Sequence, residues 1–253
     1  MTRGSGVRIW GDFDADGNVD LYVGFIDGTP NKLYHNDGNS RHFTDVAPSL
    51  GLNLLGITRQ VSWIDYDNDG RPDLYVAGFL VNVTHYPDRL FHNGGASAAG
   101  TRFHDVLPAL VNDHDASHGV QWVDCDNDGA LDLALTNNDR GGGHYLFRNV
   151  LPTAQAGLSL AVDVVDARGR HTKPGAEVRV HAAGTRRLIS SGLVDTGGGY
   201  CSQNVMRVHV ATAGAARVDI EVTTMWKKGR QTTKRPGVDP KTAPRPFTLR
   251  IPD

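Results

Sequence analysis

Three copies of a nine-residue acidic motif are the residues in this chain best suited to chemistry. The copies are DFDADGNVD at 12–20, DYDNDGRPD at 65–73 and DCDNDGALD at 124–132. Each reads Asp-x-Asp-x-Asp-Gly-x-x-Asp, which places carboxylates on alternate residues of a short loop. Ca²⁺ takes about 6 to 8 oxygen ligands in flexible geometry, and such a loop can supply them. Because closely packed carboxylates repel one another without a cation, three copies in identical register favour metal binding over solvated turns.

The spacing also predicts how each loop residue contributes. The four Asp and the Gly never vary between copies, whereas the residue after Gly varies freely and is expected to offer only its backbone carbonyl. About three Ca²⁺ per chain are therefore predicted. The predicted ligands are Asp12, Asp14, Asp16, Asn18 and Asp20 in the first loop; Asp65, Asp67, Asp69, Arg71 and Asp73 in the second; and Asp124, Asp126, Asp128, Ala130 and Asp132 in the third.

The segments around these loops predict strands rather than helices. An EF-hand needs a bidentate Glu at its twelfth position and a helix on each side. Here the ninth residue is Asp, and apolar β-prone runs such as VRIWG and LYVG flank the loop. We therefore expect each metal to lie in a hairpin connection between two strands.

More of each repeat is visible outside the loop. The copies are 53 and 59 residues apart, judged by a Trp that precedes each first Asp by two positions. A fixed period of this length, with about four short strands per unit, is typical of propellers and related arrays. The repeated aromatic residues are predicted to form the core between units. The shared positions are Trp10, Trp63 and Trp122; Leu-aromatic-x-Asn at 33–36, 90–93 and 146–149; and Phe-x-Asp-Val at 43–46 and 103–106.

Taken in order, these features resemble the FG-GAP or VCBS-type repeats of integrin-like β-propellers, over about residues 8–150. The resemblance implies one calcium per loop, held by the four Asp of that loop. A closed propeller needs about 4 to 8 blades, but this chain supplies three, and the third lacks its Phe-x-Asp-Val strand. Either the blades form an open arc, or other chains, missing sequence or the C-terminal region cover the exposed edges. A homo-oligomer is one such arrangement.

The pattern changes near residue 152, and an all-β module is predicted to follow. Its predicted strands are 158–166, 176–183, 207–213 and 217–224. The Gly-rich segment 197–204 and the Trp-x-x-Gly-Arg turn at 226–230 make residues 156–232 resemble an ASPIC/UnbV domain, which typically follows such repeats. The predicted organisation is a repeat domain at 1–152, an ASPIC/UnbV-like β domain at 153–232 and a basic, Pro-rich tail at 233–253. The basic stretch 227–245 either contacts an anionic surface or, as we predict, is solvated and partly disordered.

The rest of the sequence limits the partners and the location. No apolar run is long enough for a membrane span, and with a net charge of −2 we expect no specific nucleic-acid binding. The N-terminus lacks the apolar segment of a signal peptide, although the resemblance favours an extracellular or periplasmic protein. Asn82-Val83-Thr84 matches a glycosylation sequon. Cys125 and Cys201 are predicted to be unpaired, with the Cys125 side chain directed away from the metal.

Signals for catalysis are sparse. His114 and His118 are the weak catalytic candidates, because two His at i and i+4 beside acidic residues can bind a transition metal or move protons. The favoured hypothesis is an interaction module, without intrinsic catalysis, that binds a protein or a glycan. The alternative is a metal-dependent, UnbV-like enzyme of secondary metabolism whose cation acts as Lewis acid or template in cyclisation, elimination or alkylation of a small-molecule substrate.

Overall fold

The structure is a computed structural model that describes residues 6–38, 42–81, 84–95, 102–112, 117–137, 143–197, 203–226 and 229–252. The described residues form twenty strands and three helices of four residues each. The predicted all-β class is confirmed: the strands form several four-stranded antiparallel sheets, and none of the sheets closes into a barrel.

The first repeat forms a four-stranded antiparallel sheet in simple sequential order. Its strands are β1 (Gly6–Gly11), β2 (Asp20–Phe25), β3 (Lys32–Asn36) and β4 (Phe43–Asp45). The first acidic loop joins β1 to β2 as a hairpin connection, with Gly11 paired to Asp20 at its base. The helix α1 (Ala47–Leu50) then leads towards the second repeat.

The second repeat builds an equivalent sheet in the order β10-β9-β6-β5. Its elements are β5 (Gln60–Ile64), β6 (Asp73–Ala77), the small hairpin β7 (Leu80–Val81) and β8 (Thr84–His85), β9 (Arg89–Asn93) and β10 (Phe103–Asp105). The third repeat follows the helix α2 (Ala109–Asn112) and forms a three-stranded sheet. Its strands are β11 (Ser117–Val123), β12 (Asp132–Asn137) and β13 (His144–Phe147). Each sheet has the form of a propeller blade, and we call them the first, second and third blades.

Two apolar clusters join the blades face to face. One packs Tyr22 and Leu33 of the first blade against Val61 and Leu74 of the second, with Trp63 between them. The other packs Tyr75 and Leu90 of the second blade against Val120 and Leu133 of the third, with Trp122 beside Tyr75. The predicted core role is confirmed for Trp63 and Trp122. It is wrong for Trp10 and Phe43, which are 48% and 44% exposed because no described blade covers that face of the first blade.

The C-terminal part forms a β module of two sheets after the short helix α3 (Thr153–Ala156). One sheet has the order β17-β14-β20 and the other β16-β15-β18-β19. The strands are β14 (Ser159–Val165), β15 (Glu177–Ala182), β16 (Leu188–Leu193), β17 (Arg207–Ala211), β18 (Val218–Trp226), β19 (Gly229–Val238) and β20 (Phe247–Arg250). Leu160, Val178 and Ile220 belong to the core between the sheets. The four predicted strands are present as β14, β15, β17 and β18, and β16, β19 and β20 are additional strands that were not predicted from the sequence.

The prediction of a solvated, partly disordered tail is wrong for the residues described. β19 pairs along β18, and β20 runs parallel to β14. Leu249 and Ile251 enter the module core, which holds the end of the chain in place. The side chains of β19 are largely exposed, since it is an edge strand, and charged residues together with Pro are typical of edges. The polar composition of β19 is the reason that this segment was predicted to be a tail.

In the described part of the chain, no helix has the length and apolar character that crossing a membrane requires.

Candidate metal centres

The three acidic loops share one backbone conformation. The fourth residue of each loop is left-handed although it is not glycine, which is uncommon, and the conserved glycine two positions later has a φ that only glycine adopts readily. The φ values are 59° at Ala15, 60° at Asn68 and 60° at Asn127, and 92° at Gly17, 92° at Gly70 and 96° at Gly129. The identical register of the sequence copies is therefore matched by identical loop geometry.

Backbone amides of the loop hold the first Asp side chain of each copy inward. The amide of the conserved glycine donates to Oδ2 of that Asp in every loop. The distances are 3.0 Å from Gly17 to Asp12, 2.9 Å from Gly70 to Asp65 and 3.1 Å from Gly129 to Asp124. The other oxygen, Oδ1, accepts the amide of the third Asp in the first two loops, at 3.1 Å for Asp12 and 3.0 Å for Asp65. In the third loop, Oδ1 of Asp124 is buried without a hydrogen-bond partner.

The last Asp of each loop is the most deeply buried. Asp20, Asp73 and Asp132 are almost inaccessible to solvent. Each accepts one backbone N–H from the second loop residue and one from the Asn of the Leu-aromatic-x-Asn motif. The end of the third main strand of each blade is thereby tied to the loop. The bonds from that Asn measure 2.8 Å for Asn36, 2.7 Å for Asn93 and 2.8 Å for Asn149.

The first, second and last Asp of every loop bring carboxylate oxygens within 4.8 Å of one another. The three groups are Asp12, Asp14 and Asp20; Asp65, Asp67 and Asp73; and Asp124, Asp126 and Asp132. Among the described protein atoms, Oδ1 of Asp14 and Oδ1 of Asp124 are buried without a hydrogen-bond partner. A cluster of oxygen donors with unfilled lone pairs fits a hard cation such as Ca²⁺.

The other two predicted positions are less central. The third Asp of each loop, Asp16, Asp69 or Asp128, accepts the backbone N–H of the residue after the glycine. That residue is Asn18, Arg71 or Ala130, and the predicted use of its carbonyl stays a prediction. The Arg71 guanidinium also pairs with Asp69, which places a cation at the side of the second loop.

Burial opposes ionisation of these carboxylates when only protein surrounds them. Desolvation, reinforced by neighbouring Asp charges, raises the pKa of Asp12 to about 6 and that of Asp65 to about 8. It raises the pKa of Asp20 to about 7 and that of Asp73 to about 9. The pKa of Asp124 is also raised, mainly by desolvation. A bound divalent cation would supply the positive charge that buried carboxylates need.

Two histidines beside the loops were not identified as site residues from the sequence. His35 Nε2 lies 3.1 Å from Oδ2 of Asp14 and 3.6 Å from Oδ2 of Asp16. His92 Nδ1 lies 3.3 Å from Oδ1 of Asp73 and 3.6 Å from Oδ2 of Asp67. Both occupy the variable position of the Leu-aromatic-x-Asn motif, so their repetition was the available signal.

The third loop differs from the other two at this position. The corresponding residue is Arg148, whose Nε lies 2.8 Å from Asp126 and whose Nη2 lies 3.2 Å from Asp128. A fixed guanidinium therefore neutralises part of the third acidic cluster.

Cys125 in the third loop also differs from the prediction. Its side chain does not point away from the loop: its Sγ donates to Asp132 Oδ2 at 2.8 Å. This bond is the main reason that the pKa of Cys125 is raised to about 11.

All three acidic loops contact the C-terminal module. Arg179 Nη2 donates to the Gly17 carbonyl at 2.7 Å. His209 Nε2 lies 2.7 Å from Asn68 Oδ1, and Ser159 Oγ donates to the Gly129 carbonyl at 2.7 Å. The module is thereby seated on the backbone of the loops.

A recess of about 320 Å³ lies between the inner strands of the blades and the module. Trp10, Trp63 and Trp122 contribute to its blade side, and Glu177, Asp195 and Arg207 to its module side. Asp12 and Asp65 reach its edge. Its size is within the range of small-ligand pockets, about 300 to 1,000 Å³.

Only one member of the predicted catalytic pair, His118, lies in the described part of the chain, and it is not close to the acidic loops. His114 lies outside the described residues. His118 lies near the start of β11, with its ring 5.5 Å from that of Phe79, whereas Asp124 follows the other end of this strand. Six residues of extended chain span ~20 Å, so His118 and the third loop are at opposite rims. Desolvation, and then the charge of Arg59, lower the pKa of His118. The sequon residues Asn82 and Val83, Cys201 and much of the Gly-rich segment also fall outside the described residues.

Blade-like sheets with acidic loops at repeated positions define a β-propeller-type repeat protein. Comparison with known families agrees: residues 12–76 match the FG-GAP-like repeat. The match runs from the first acidic loop through the first blade to β6. No curated protein matches the chain. The chain therefore carries an FG-GAP-like repeat, a type of repeat that indicates an interaction module.

Proposed function

We propose that this protein is a calcium-stabilised interaction module, without intrinsic catalysis, that binds a protein or a glycan. The observation that carries the proposal is the convergence of three carboxylates in each of three loops of identical backbone conformation. The donors are carboxylate oxygens in a flexible loop, which suits Ca²⁺ better than Mg²⁺, because Mg²⁺ demands near-ideal octahedral geometry.

The first, second and last Asp of each loop would hold the ion. A bound Ca²⁺ would supply positive charge to carboxylates whose ionisation burial otherwise opposes. His35 and His92 lie at the side of the first two clusters, within 3.1 Å of Asp14 and 3.6 Å of Asp67. Arg148 takes that place in the third, so we expect the third loop to bind calcium more weakly than the other two.

The position of the loops supports a structural role for the bound calcium. Each loop joins the first two strands of its blade, and carbonyls of the loop glycines accept hydrogen bonds from the module. Calcium would therefore rigidify both the blade and the platform on which the module sits. This leaves one preorganised surface made from both parts, and preorganisation favours binding by reducing the entropy lost on association.

The module itself resembles an ASPIC/UnbV domain, and we propose that it acts together with the blades in recognition. The recess between them offers Trp63 and Trp122 on one side and Arg207 and Asp195 on the other. Aromatic and Arg side chains dominate the binding energy of many interfaces. We therefore propose the recess and its rim as the partner-binding surface.

The recess also supports a second candidate, a metal-dependent enzyme acting on a small molecule. Asp12 and Asp65 reach its edge, so cations held by the first two loops would lie near a bound substrate. One finding counts against this candidate: His118, the described member of the predicted catalytic pair, lies at the opposite rim from the acidic loops.

The experiment is a calcium titration of chelator-treated protein by calorimetry, with elemental analysis of the untreated protein. We expect two tighter sites and one weaker site, and a lower melting temperature in excess EGTA than in calcium. At a free concentration ~100 times its dissociation constant, each ion adds ~2.7 kcal/mol of stability. Unchanged melting in EGTA, together with no bound calcium, would refute the metal-binding proposal.

The proposed binding of a protein or a glycan is tested by a separate experiment. A glycan array and a pull-down of extracellular proteins, each run in calcium and in EGTA, should give binding that requires calcium. Arg207→Ala should weaken it, whereas the matched substitution Arg187→Ala, at an exposed turn of the module away from the recess, should not. Turnover of a small molecule by the wild type, lost in Asp65→Asn, would favour the enzyme instead.

A further inference from the structure

Positions that are buried between blades are exposed on the outer face of the first blade. Phe103 of the second blade is only 4% exposed, because it packs with Trp63 against Phe13 of the first blade. The corresponding Phe43 is 44% exposed and contacts Trp10 edge to face, with ring centroids 6.3 Å apart. The first blade thus presents, uncovered, the same aromatic pair with which the second blade binds its neighbour.

The face of the third blade that points away from the second blade carries the positions that, in the other blades, pack against the next blade. Leu33 and Leu90 occupy one repeat position and are 0% and 5% exposed, since each packs against the next blade. The third residue of this series, Leu146, is 61% exposed. Leu33 pairs across its sheet with Tyr22, and Leu146 pairs in the same way with Ala134. The third blade therefore presents the receiving half of an interblade contact.

A hydrogen bond between neighbouring blades occurs twice in the chain, and its donor and acceptor positions recur at the two ends of the array. Asn93 Nδ2 donates to the Phe13 carbonyl of the preceding blade at 2.9 Å, and Asn149 Nδ2 donates to the Tyr66 carbonyl of the preceding blade at 2.7 Å. The corresponding donor on the first blade is Asn36. All three Asn also donate to a carbonyl of their own loop, which for Asn36 is that of Val19. The corresponding acceptor on the third blade is the Cys125 carbonyl. The series thus has a donor at one end of the array and an acceptor at the other.

We propose that the first blade of one copy docks on the third blade of a second copy, in the geometry that joins the blades within the chain. Trp10 and Phe43 would cover the face around Leu146 and Ala134, and Asn36 would donate to the Cys125 carbonyl of the second copy. Two such contacts related by a two-fold axis bring six blades together, within the ~4 to 8 of closed propellers. The partner surface is therefore a second copy of this chain.

The C-terminal module does not substitute for that partner. It contacts the acidic loops and the inner strands, and Trp10, Phe43 and Leu146 are exposed while it is in place. This assembly goes beyond the proposed function. It is tested by substitutions outside the acidic loops, so calcium binding and assembly are measured separately on the same variants.

The test is the molar mass of the full chain in calcium at micromolar concentration, by light scattering and sedimentation. We expect the wild type to have twice the mass of one chain. Trp10→Asp and Leu146→Asp should each give monomers with unchanged circular dichroism, since both residues are surface-exposed. Met225→Glu, which changes a side chain 77% exposed on the module, is the matched control and should leave the dimer intact.

Mixing the two single variants distinguishes a head-to-tail contact from a symmetric one. The Trp10→Asp chain keeps an intact third-blade face, and the Leu146→Asp chain keeps an intact first-blade face, so their mixture should form heterodimers through one contact. A monomeric wild type would overturn the proposal. So would a dimer that only one substitution weakens, or that neither weakens, because both faces must take part.

Discussion

Oδ1 of Asn68 lies 2.7 Å from Nε2 of His209, and this contact joins the second acidic loop to strand β17 of the module. The amide group of Asn68 donates to the Gly129 carbonyl at 2.9 Å, so its oxygen faces the imidazole. An amide oxygen only accepts hydrogen bonds, and therefore Nε2 of His209 carries the hydrogen. One side chain thus connects two acidic loops and the module.

Burial of His209 makes the stability of the protein depend on pH. Desolvation, and then the charge of Arg245, lower the pKa of His209 from 6.5 to about 4. Below pH 6.5 the unfolded chain gains a proton that the folded chain does not take up, so stability falls as the pH drops towards 4. The expected loss from this residue is on the order of 2 kcal/mol, measured by urea unfolding in saturating calcium.

The control for this prediction is His209→Gln, which can still donate to Asn68 but does not titrate. All other groups contribute equally to both proteins, so only the difference between the two stability curves reports on His209. The wild type should lose stability relative to the variant between pH 6.5 and 4. Parallel curves over this range would show that His209 is not held neutral by the fold.

The central and peripheral carboxylates of a loop should respond differently to substitution. Asp73 is buried at the centre of the second cluster, whereas Asp69 is paired with Arg71 at its side. Asp73→Asn should therefore remove one calcium per chain, and Asp69→Ala should weaken that site while leaving it occupied at high calcium. Calorimetric titration measures both, with Asp27→Asn, at an exposed turn, as control. Equal effects of the two substitutions would contradict the geometry.

Features that depend on residues close together in sequence could be predicted, whereas contacts between residues far apart in sequence could not. The acidic loops, their hairpin context and most strands follow from local spacing, and these predictions agreed with the structure. His35 and Arg148 reach their carboxylates across a sheet, from about 20 residues away in sequence, so the motif spacing alone did not identify them. The contacts of Arg179 and His209 with the loops span more than half the chain. β19 was taken for a tail because edge strands are polar.

Replacing Arg148 should convert the third loop to the type of the first two. The guanidinium lies 2.8 Å from Asp126 and 3.2 Å from Asp128, and it competes with a cation for these carboxylates. Arg148→His installs the residue that the other two repeats carry at this position. We expect it to tighten the weakest calcium site several-fold without changing the number of sites.

Arg89→His is the control for that substitution, since it also replaces an exposed Arg that pairs with an Asp outside the loops, Asp105. It should leave all three calcium affinities unchanged. If Arg148→His instead weakens the third site, the guanidinium supports the loop rather than competing with the ion.

The side chain of Gln60 makes the hydrogen bonds that join β5 to β11, the inner strands of the second and third blades, in place of backbone pairing between these strands. Its Oε1 accepts the Val120 amide at 2.8 Å, and its Nε2 donates to the Val120 carbonyl at 2.5 Å, in a fully buried setting. Gln60→Ala would leave both backbone groups buried without partners and open a cavity, so we expect a loss of about 2 to 4 kcal/mol. Gln231→Ala, on the exposed face of β19, is the matched control and should change stability by less than about 0.5 kcal/mol. Urea unfolding in calcium measures both variants. A similar small effect for the two would mean that apolar packing around Trp122, rather than this amide pair, holds the blades together.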